Sequence, residues 1–400
     1  MTASPTVLAF GTGVFLRAFL CDFADRAGVP VTLVSSTPAG DARVRDLNRR
    51  GGRFTLAYRG IGANGDVTDT WREVRSITRA LPASEDWPVV LETARDPTIT
   101  VVASNVSEVG FKLSEDPNDD RPDLSPPASF PARLTAWLHA RFQHFDGAHS
   151  AGVIVLPCEL IENNGTLLKG MVADVAGRGQ LGDDFSNWLD AACTFADTLV
   201  DRIVPGVASD EERQTLWRER LGDEDALNDP LLTIAEPFAL WAIKGDAALA
   251  EKLGWLLRGS GGAAVIAPDI SPFVYRKMRI LNSLHTAMAP VGIHRYNLTH
   301  VRQCLEHPEL GPFLRALVDE EIVPAICPPL ELADARAYAD TTWARMSNPF
   351  LVHPLTKIMD GAATKWQTRL APTMRAYEER FGAPPPRLSE CRRVFEQMQP

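Results

Sequence analysis

Residues 7–19, Val7-Leu8-Ala9-Phe10-Gly11-Thr12-Gly13-Val14-Phe15-Leu16-Arg17-Ala18-Phe19, read in order as strand, turn and helix. The unbroken apolar run Val7 to Phe10 is what a parallel strand buried on both faces requires. Two glycines follow at once. From Val14 to Ala27 apolar residues recur at helical spacing (Phe15, Ala18, Phe19, Phe23), and Gly28 closes the segment as a C-cap. Val31 to Val34 is a second strand, which completes a βαβ unit. Gly11 and Gly13 sit where a dinucleotide pyrophosphate meets backbone N–H groups and the positive end of a helix, here opened by Val14 and Phe15. The third glycine of GxGxxG is absent, since position 16 is Leu, so an ordinary βα turn of small residues shares the pattern.

Further along, Ile99 to Ala103 and Val153 to Leu156 read as interior strands, with an amphipathic helix, Ala132 to Phe145, between them. Strand alternating with helix gives an α/β, doubly wound, Rossmann-like domain. Ser104 and Asn105 follow a strand, at the carboxyl edge where such a sheet binds its ligand. The second strand continues Ser35-Ser36-Thr37-Pro38 without the acid that usually binds the NAD ribose, while Arg43 and Arg45 lie within reach of a 2′-phosphate. Ser114 to Pro131, dense in Asp and Pro, reads as an exposed loop long enough for a lid. From about Phe185 the pattern reads as mostly helical, with Ala263 to Ala267 as a last strand. Beyond it come Arg276 to Ala289, Val301 to Leu305, Leu314 to Pro324, Asp334 to Arg345 and Leu355 to Arg369, all helical. The expected division is 1–268, dinucleotide-binding, and 269–400, a mostly α-helical substrate and catalytic domain.

The bulk numbers exclude several classes. A chain of 400 residues with net charge -10 and scattered Lys and Arg carries no nucleic-acid footprint. The six cysteines form no CxxC, which argues against a zinc knuckle and fits a reducing cytoplasm. No basic, apolar leader precedes Gly13 and no run of about 18 apolar residues occurs, so neither a signal peptide nor a membrane span is expected. A small-molecule substrate and a monomer or weak homodimer are expected.

Lys277-Met278-Arg279-Ile280-Leu281-Asn282-Ser283-Leu284-His285 is the stretch expected to carry the chemistry. On a regular α-helix Asn282 lies about 140° and His285 about 80° from Lys277, so all three share one half of the helix. Oxidation of a secondary alcohol needs a base for the hydroxyl proton and donors for the developing alkoxide. A lysine beside other cations can serve as that base, and as the acid in reduction. Asn282 can donate to the reacting oxygen and His285 can bind it or a neighbouring hydroxyl. A surface lysine, a capping Asn and a solvated His share this spacing. None of the eight histidines forms HxH or HxxxH, so no metal is expected.

These residues together resemble the mannitol dehydrogenase family of long-chain polyol and sugar-acid dehydrogenases, over nearly the whole chain. Gly11 to Phe19 resembles its GxGxFxRA opening, and Leu199-Val200-Asp201-Arg202-Ile203-Val204-Pro205 its VDRIxP element. Lys277, Asn282 and His285 match its K-x4-N-x2-H helix, and Arg345, Asn348 and Pro349 its RxxNP element. Ser104-Asn105-Val106-Ser107-Glu108-Val109-Gly110 and Leu156-Pro157-Cys158-Glu159-Leu160-Ile161-Glu162-Asn163-Asn164-Gly165 are similar to the tagaturonate reductase branch. Polyol-type members are expected to read CDN where this chain has Cys158-Glu159-Leu160, so their asparagine is missing at position 160.

The resemblance implies NAD as cofactor, a Rossmann domain, a helical C-terminal domain and a site in the cleft between them. It implies reduction of D-tagaturonate to D-altronate in hexuronate breakdown. Reduction of fructuronate, or oxidation of mannitol or arabinitol, is the alternative. It makes Lys277, Asn282 and His285 catalytic. Gly11, Gly13, Val14, Phe15, Ser104 and Asn105 are assigned to the cofactor, and Asp201, Arg202, His353 and Lys365 to the substrate. Asp201 and Arg202 could instead form a structural ion pair. A uronate carboxylate needs a cation; Arg345, His353, Lys365 and Arg369 are available, and the resemblance favours His353 and Lys365.

Overall fold

The computed structural model describes residues 5–398 apart from 36, 63–64, 108–109, 208–209, 211–213 and 215–228; Ser36, Glu108 and Val109 of the quoted stretches lie outside the described residues. Two compact units part at Asp269/Ile270. The second also takes in Arg59–Asp69 and Glu236–Phe238.

The first unit holds a parallel six-stranded sheet. Its strands are β1 (Thr6–Phe10), β2 (Val31–Val34), β5 (Ile77–Leu81), β6 (Ile99–Ser104), β7 (Ile154–Pro157) and β8 (Thr194–Phe195). The order β5-β2-β1-β6-β7-β8 puts β1 inside, with β2 on one side and β6 on the other. Residues 7–10 of β1 are fully buried, as their unbroken apolar run requires. The chain leaves β1 toward β2 and later returns on the opposite side, so the carboxyl ends of β1 and β6 flank the topological switch point.

Several strands escaped the sequence reading. β3 (Phe54–Ile61) and β4 (Val67–Val74) lie in a four-stranded sheet with β10 (Gly206–Val207) and β11 (Thr233–Ala235). β9 (Thr198–Asp201), β12 (Leu240–Lys244) and β13 (Ala264–Ala267) form a third sheet. The mostly helical reading after Phe185 is therefore corrected. Most of these strands have five residues or fewer, too short for alternation to register, and β4 carries Asp69, Arg72 and Glu73 on a largely exposed strand. The Asp- and Pro-rich loop is braced internally. Its one buried carboxylate, Asp120, accepts the backbone N–H groups of Ser114 (2.6 Å) and Ser129 (2.9 Å).

The second unit is helical. Ser271–Arg276, Lys277–Asn282 and Ser283–Tyr296 follow one another without a break. Pro290 lies inside the last of these and does not end it at Ala289. Residues 283–292 are buried throughout, and that burial outweighs the hydrogen bond the proline removes. Ile280, Leu284, Ala287 and Met288 pack with Leu317, Ile322, Leu370 and Leu388 to form the core.

Candidate active site

At the switch point Gly11 has φ 124°, a conformation that favours glycine. A Cβ there would stand 2.6 Å from the Asn105 carbonyl oxygen and 2.9 Å from Leu16 Cδ1. Backbone bonds tie the turn to both neighbouring strands: Gly11 N–H donates to the Val34 carbonyl (2.7 Å), and Asn105 N–H to the Phe10 carbonyl (3.0 Å). Gly13 opens onto empty space and precedes Val14 and Phe15 with no side chain capping the helix start. The N–H groups of that first turn are therefore free to meet an anion. Arg17, fully buried, braces the turn by donating to the Thr12 carbonyl (2.8 Å) and Thr233 Oγ1 (3.0 Å), and burial lowers its pKa to about 10. Glycine cradle and uncapped helix start fit a dinucleotide pyrophosphate. Arg43 reaches Thr12 Oγ1 (3.3 Å), whereas Arg45 pairs with Glu85 (2.7 Å).

The side chains of Ser104 and Asn105 turn toward β7. Asn105 Nδ2 donates to the Cys158 carbonyl (2.9 Å). Ser104 Oγ donates to Glu159 Oε2 (3.0 Å), and Val106 N–H to Glu159 Oε1 (2.8 Å). Glu159 is a buried titratable group that sequence reasoning did not single out. Its only signal was an acid directly after an apolar strand. Leu160, at the position of the missing asparagine, is exposed and offers no donor. Asn164 holds the same edge together: its amide donates to the Pro157, Glu159 and Thr198 carbonyls at 3.0–3.2 Å.

Burial pushes the Glu159 carboxyl up to about 7, against the hydrogen bonds it accepts. A folded-state pKa above the unfolded value means that the folded chain holds the proton more tightly. The resulting stability is complete below the ordinary carboxyl pKa and is lost as pH rises through about 7. The size is on the order of 3 kcal/mol. Urea unfolding from pH 4.5 to 8 should therefore show a decline that Glu159→Gln, neutral at every pH, flattens. Equal slopes in both proteins would remove Glu159 as the cause.

Arg202 is buried in the first unit, where Nη1 donates to the Ala18 carbonyl (2.6 Å) and lies 3.4 Å from Asp22 Oδ2. Its guanidinium also stacks over Tyr58, 5.1 Å from the ring centroid. Its neighbour Asp201 ends β9 and is likewise buried.

In the second unit the lysine segment departs from the expected regular helix. Lys277–Asn282 is a π-turn. A turn closed by i→i+5 bonds takes more residues per turn than a regular α-helix, so the 140° separation between Lys277 and Asn282 narrows. Both are half-buried. Among the described residues the hydrogen bond of Asn282 Nδ2 goes to the Met278 sulfur, at 3.6 Å, a weak acceptor. His285 is buried; its ring bonds to the Leu281 carbonyl while Nε2 has no partner. Burial first, then the cations His353, Arg345 and Arg369, hold its pKa well below the usual value. The imidazole is therefore neutral, and with one nitrogen bonded to a carbonyl, Nε2 presents an acceptor lone pair.

The His353 ring meets His285 edge-on at 4.8 Å. Lys365 Nζ donates to the Ile358 carbonyl (2.9 Å). Arg345 is engaged elsewhere. It forks onto buried Glu236 (2.8–3.2 Å) and stacks on Phe238, 4.0 Å from the centroid. Asn348 Nδ2 donates to the Arg59 carbonyl (3.0 Å). The Arg345-Asn348-Pro349 element thus anchors the two segments that the helical unit takes from earlier in the chain. Among the described residues no three His, Cys, Asp or Glu side chains group to hold a metal, and no helix is long and apolar enough to cross a membrane.

Comparison with known proteins agrees with this layout. The mannitol dehydrogenase Rossmann domain matches residues 5–256 and the mannitol dehydrogenase C-terminal domain residues 269–391. An altronate oxidoreductase of Bacillus subtilis is 34% identical over 386 residues, covering 96% of this chain and 77% of that protein. One of Pectobacterium atrosepticum is 36% identical over 387 residues, covering 96% and 76%. Among solved structures, a substrate-free D-sorbitol dehydrogenase superposes with TM-score 0.82 at 20% identity, covering 99% of this chain and 80% of that one. The Pseudomonas fluorescens mannitol 2-dehydrogenase complex with NAD and D-mannitol superposes with TM-score 0.73 at 20% identity, covering 99% and 79%. The chain belongs to the mannitol dehydrogenase family and is an oxidoreductase acting on CH–OH groups.

Proposed function

We propose that the chain is an NAD(H)-dependent reductase of D-tagaturonate, yielding D-altronate reversibly in hexuronate breakdown, with Lys277 as general acid/base and no metal. The arrangement of Lys277, Asn282 and His285 carries this reading: a proton donor and an amide donor on one π-turn, and a neutral acceptor three residues on. Bound nicotinamide dinucleotide supplies the hydride. Gly11, Gly13 and the helix start at Val14 and Phe15 hold its pyrophosphate, with Ser104 and Asn105 beside them. Lys277 gives its proton to the reacting oxygen. Asn282 donates to that oxygen while charge builds on it, and His285 Nε2 accepts from an adjacent hydroxyl, orienting the sugar.

The acid substrate is supported by relatives named altronate oxidoreductase and by the cations around His285. Leu160 in place of an asparagine supports a sugar acid over a polyol. Six buried free thiols support a cytoplasmic location. Absorbance at the NADH band should fall fastest with D-tagaturonate and NADH, ahead of D-fructuronate, D-fructose and any reaction with NADPH. Turnover with D-fructose alone would make this a polyol dehydrogenase; preference for D-fructuronate would move it to the neighbouring branch.

A further inference from the structure

The proposed proton-transfer residues leave the cation Arg369 unused beside them. Arg369 lies in the π-turn Trp366–Leu370. Its backbone is fixed against the lysine helix: the Arg369 carbonyl accepts from Arg279 Nη1 (2.9 Å) and Ser283 Oγ (3.1 Å). Its side chain is held at the level of His285. Nη1 donates to Oγ1 of Thr286 at 3.3 Å, and that hydroxyl donates to the Asn282 carbonyl at 2.8 Å. The guanidinium is half-buried, yet among the described residues it has no carboxylate within ion-pair distance and no hydrogen bond besides the one to Thr286. Four of its five N–H donors are therefore unused by the protein.

Among the described residues no carboxylate pairs with this guanidinium. Burial and then Arg369 lower the Lys365 ammonium, while Asp360, the one acid acting on it, lies 3.8 Å from Lys357. Arg345 and Arg369 both act on His285 as cations. Lys365 already gives one donor to the Ile358 carbonyl, and His353 lies edge-on to His285. The planar fork of Arg369 is the group left with matching geometry for a bidentate anion. Arg345, with the same fork, already has its carboxylate in Glu236.

We propose that Arg369 receives the substrate carboxylate and so selects sugar acids over uncharged polyols, an inference that rests on the sugar-acid reading above. Lys365 adds field at this end of the site. The partner-free fork becomes satisfied when substrate binds, so the selectivity sits in one side chain.

The test crosses residue with ligand. Binding of D-altronate and of its uncharged amide, D-altronamide, is measured by calorimetry in the presence of NADH, which cannot accept a hydride from either, for wild type, Arg369→Gln and Arg369→Lys. In the wild type the acid should bind roughly 30-fold tighter than the amide, the scale of a charge-assisted bidentate contact. Arg369→Gln should bring that ratio within threefold, and Arg369→Lys should restore part of it. KM for D-tagaturonate should rise about as much as the ratio falls, with kcat changing less. A wild-type preference that survives in Arg369→Gln overturns this assignment and leaves the sugar-acid reading standing. A loss of acid and amide binding by the same factor means a structural role and overturns it too. A wild type without preference for the acid brings down the sugar-acid reading, and this inference with it.

Discussion

Lys277→Ala should lower kcat for D-tagaturonate reduction by roughly 10³- to 10⁴-fold, about 4–5 kcal/mol of transition-state stabilisation. As hydride reaches the carbonyl carbon, charge builds on the oxygen, and a proton must arrive for the alcohol to form. His285 cannot supply it: burial and the surrounding cations keep the imidazole neutral, and its orphan nitrogen presents a lone pair. Asn282 can stabilise the charge but has no proton to give up. Lys277 is the group on this turn that can do both. Lys277→Arg separates the two roles, because guanidinium keeps the charge without releasing its proton in the working range. It should remain at least 10²-fold impaired, within the range assigned to general acid–base catalysis. NADH affinity, followed by fluorescence titration, should stay within about threefold in both variants, since the proposed dinucleotide contacts lie on the Gly11–Phe15 turn. Small primary amines added to Lys277→Ala should restore part of the rate. Near-normal turnover in the alanine variant would move the acid/base role to another group.

The sequence made the cofactor turn legible because its signals are local. An apolar β1, two glycines and a helical run occupy fifteen consecutive positions or so, and the observed strand and turn follow them. The lysine triad was legible as spacing but not as geometry. Apolar periodicity reports burial, and a single widened turn leaves it nearly unchanged, so the π-turn at Lys277–Asn282 was invisible. Glu159 was overlooked for a different reason. What marks it is its contact with Ser104 and Val106, more than fifty positions away, across two strands that pair only in the folded sheet. The same holds for the cations near the lysine helix. In sequence Arg345, His353, Lys365 and Arg369 are all available for a carboxylate, and the resemblance favours His353 and Lys365. Only the fold shows that Arg345 already faces Glu236, 109 residues earlier, and that among the described residues Arg369 pairs with no acid.

That buried pair leads to the second large effect. Arg345→Met should destabilise the protein by about 3–5 kcal/mol, read as a fall in the urea midpoint at unchanged slope. Both side chains are nearly inaccessible, at 2% and 3% exposure, and the fork places two nitrogens on one carboxylate. Removing the guanidinium leaves the Glu236 carboxylate in low dielectric without its counter-charge, which costs far more than the lost contact itself. Methionine nearly fills the space and can keep contact with Phe238, so a cavity contributes little. The sign of the second substitution identifies the cause. Glu236→Gln removes the charge that Arg345→Met strands, so the double variant should recover most of the loss. Additive losses would point to packing instead, and a cost below 1 kcal/mol for Arg345→Met would mean that the pair does not anchor the segment 236–238. Because Arg345 is also among the cations that keep His285 neutral, the double variant carries a functional signature as well. With that positive charge gone the His285 pKa rises, so the activity of the refolded double variant should begin to fall at a higher pH than the wild type's as the solution is acidified.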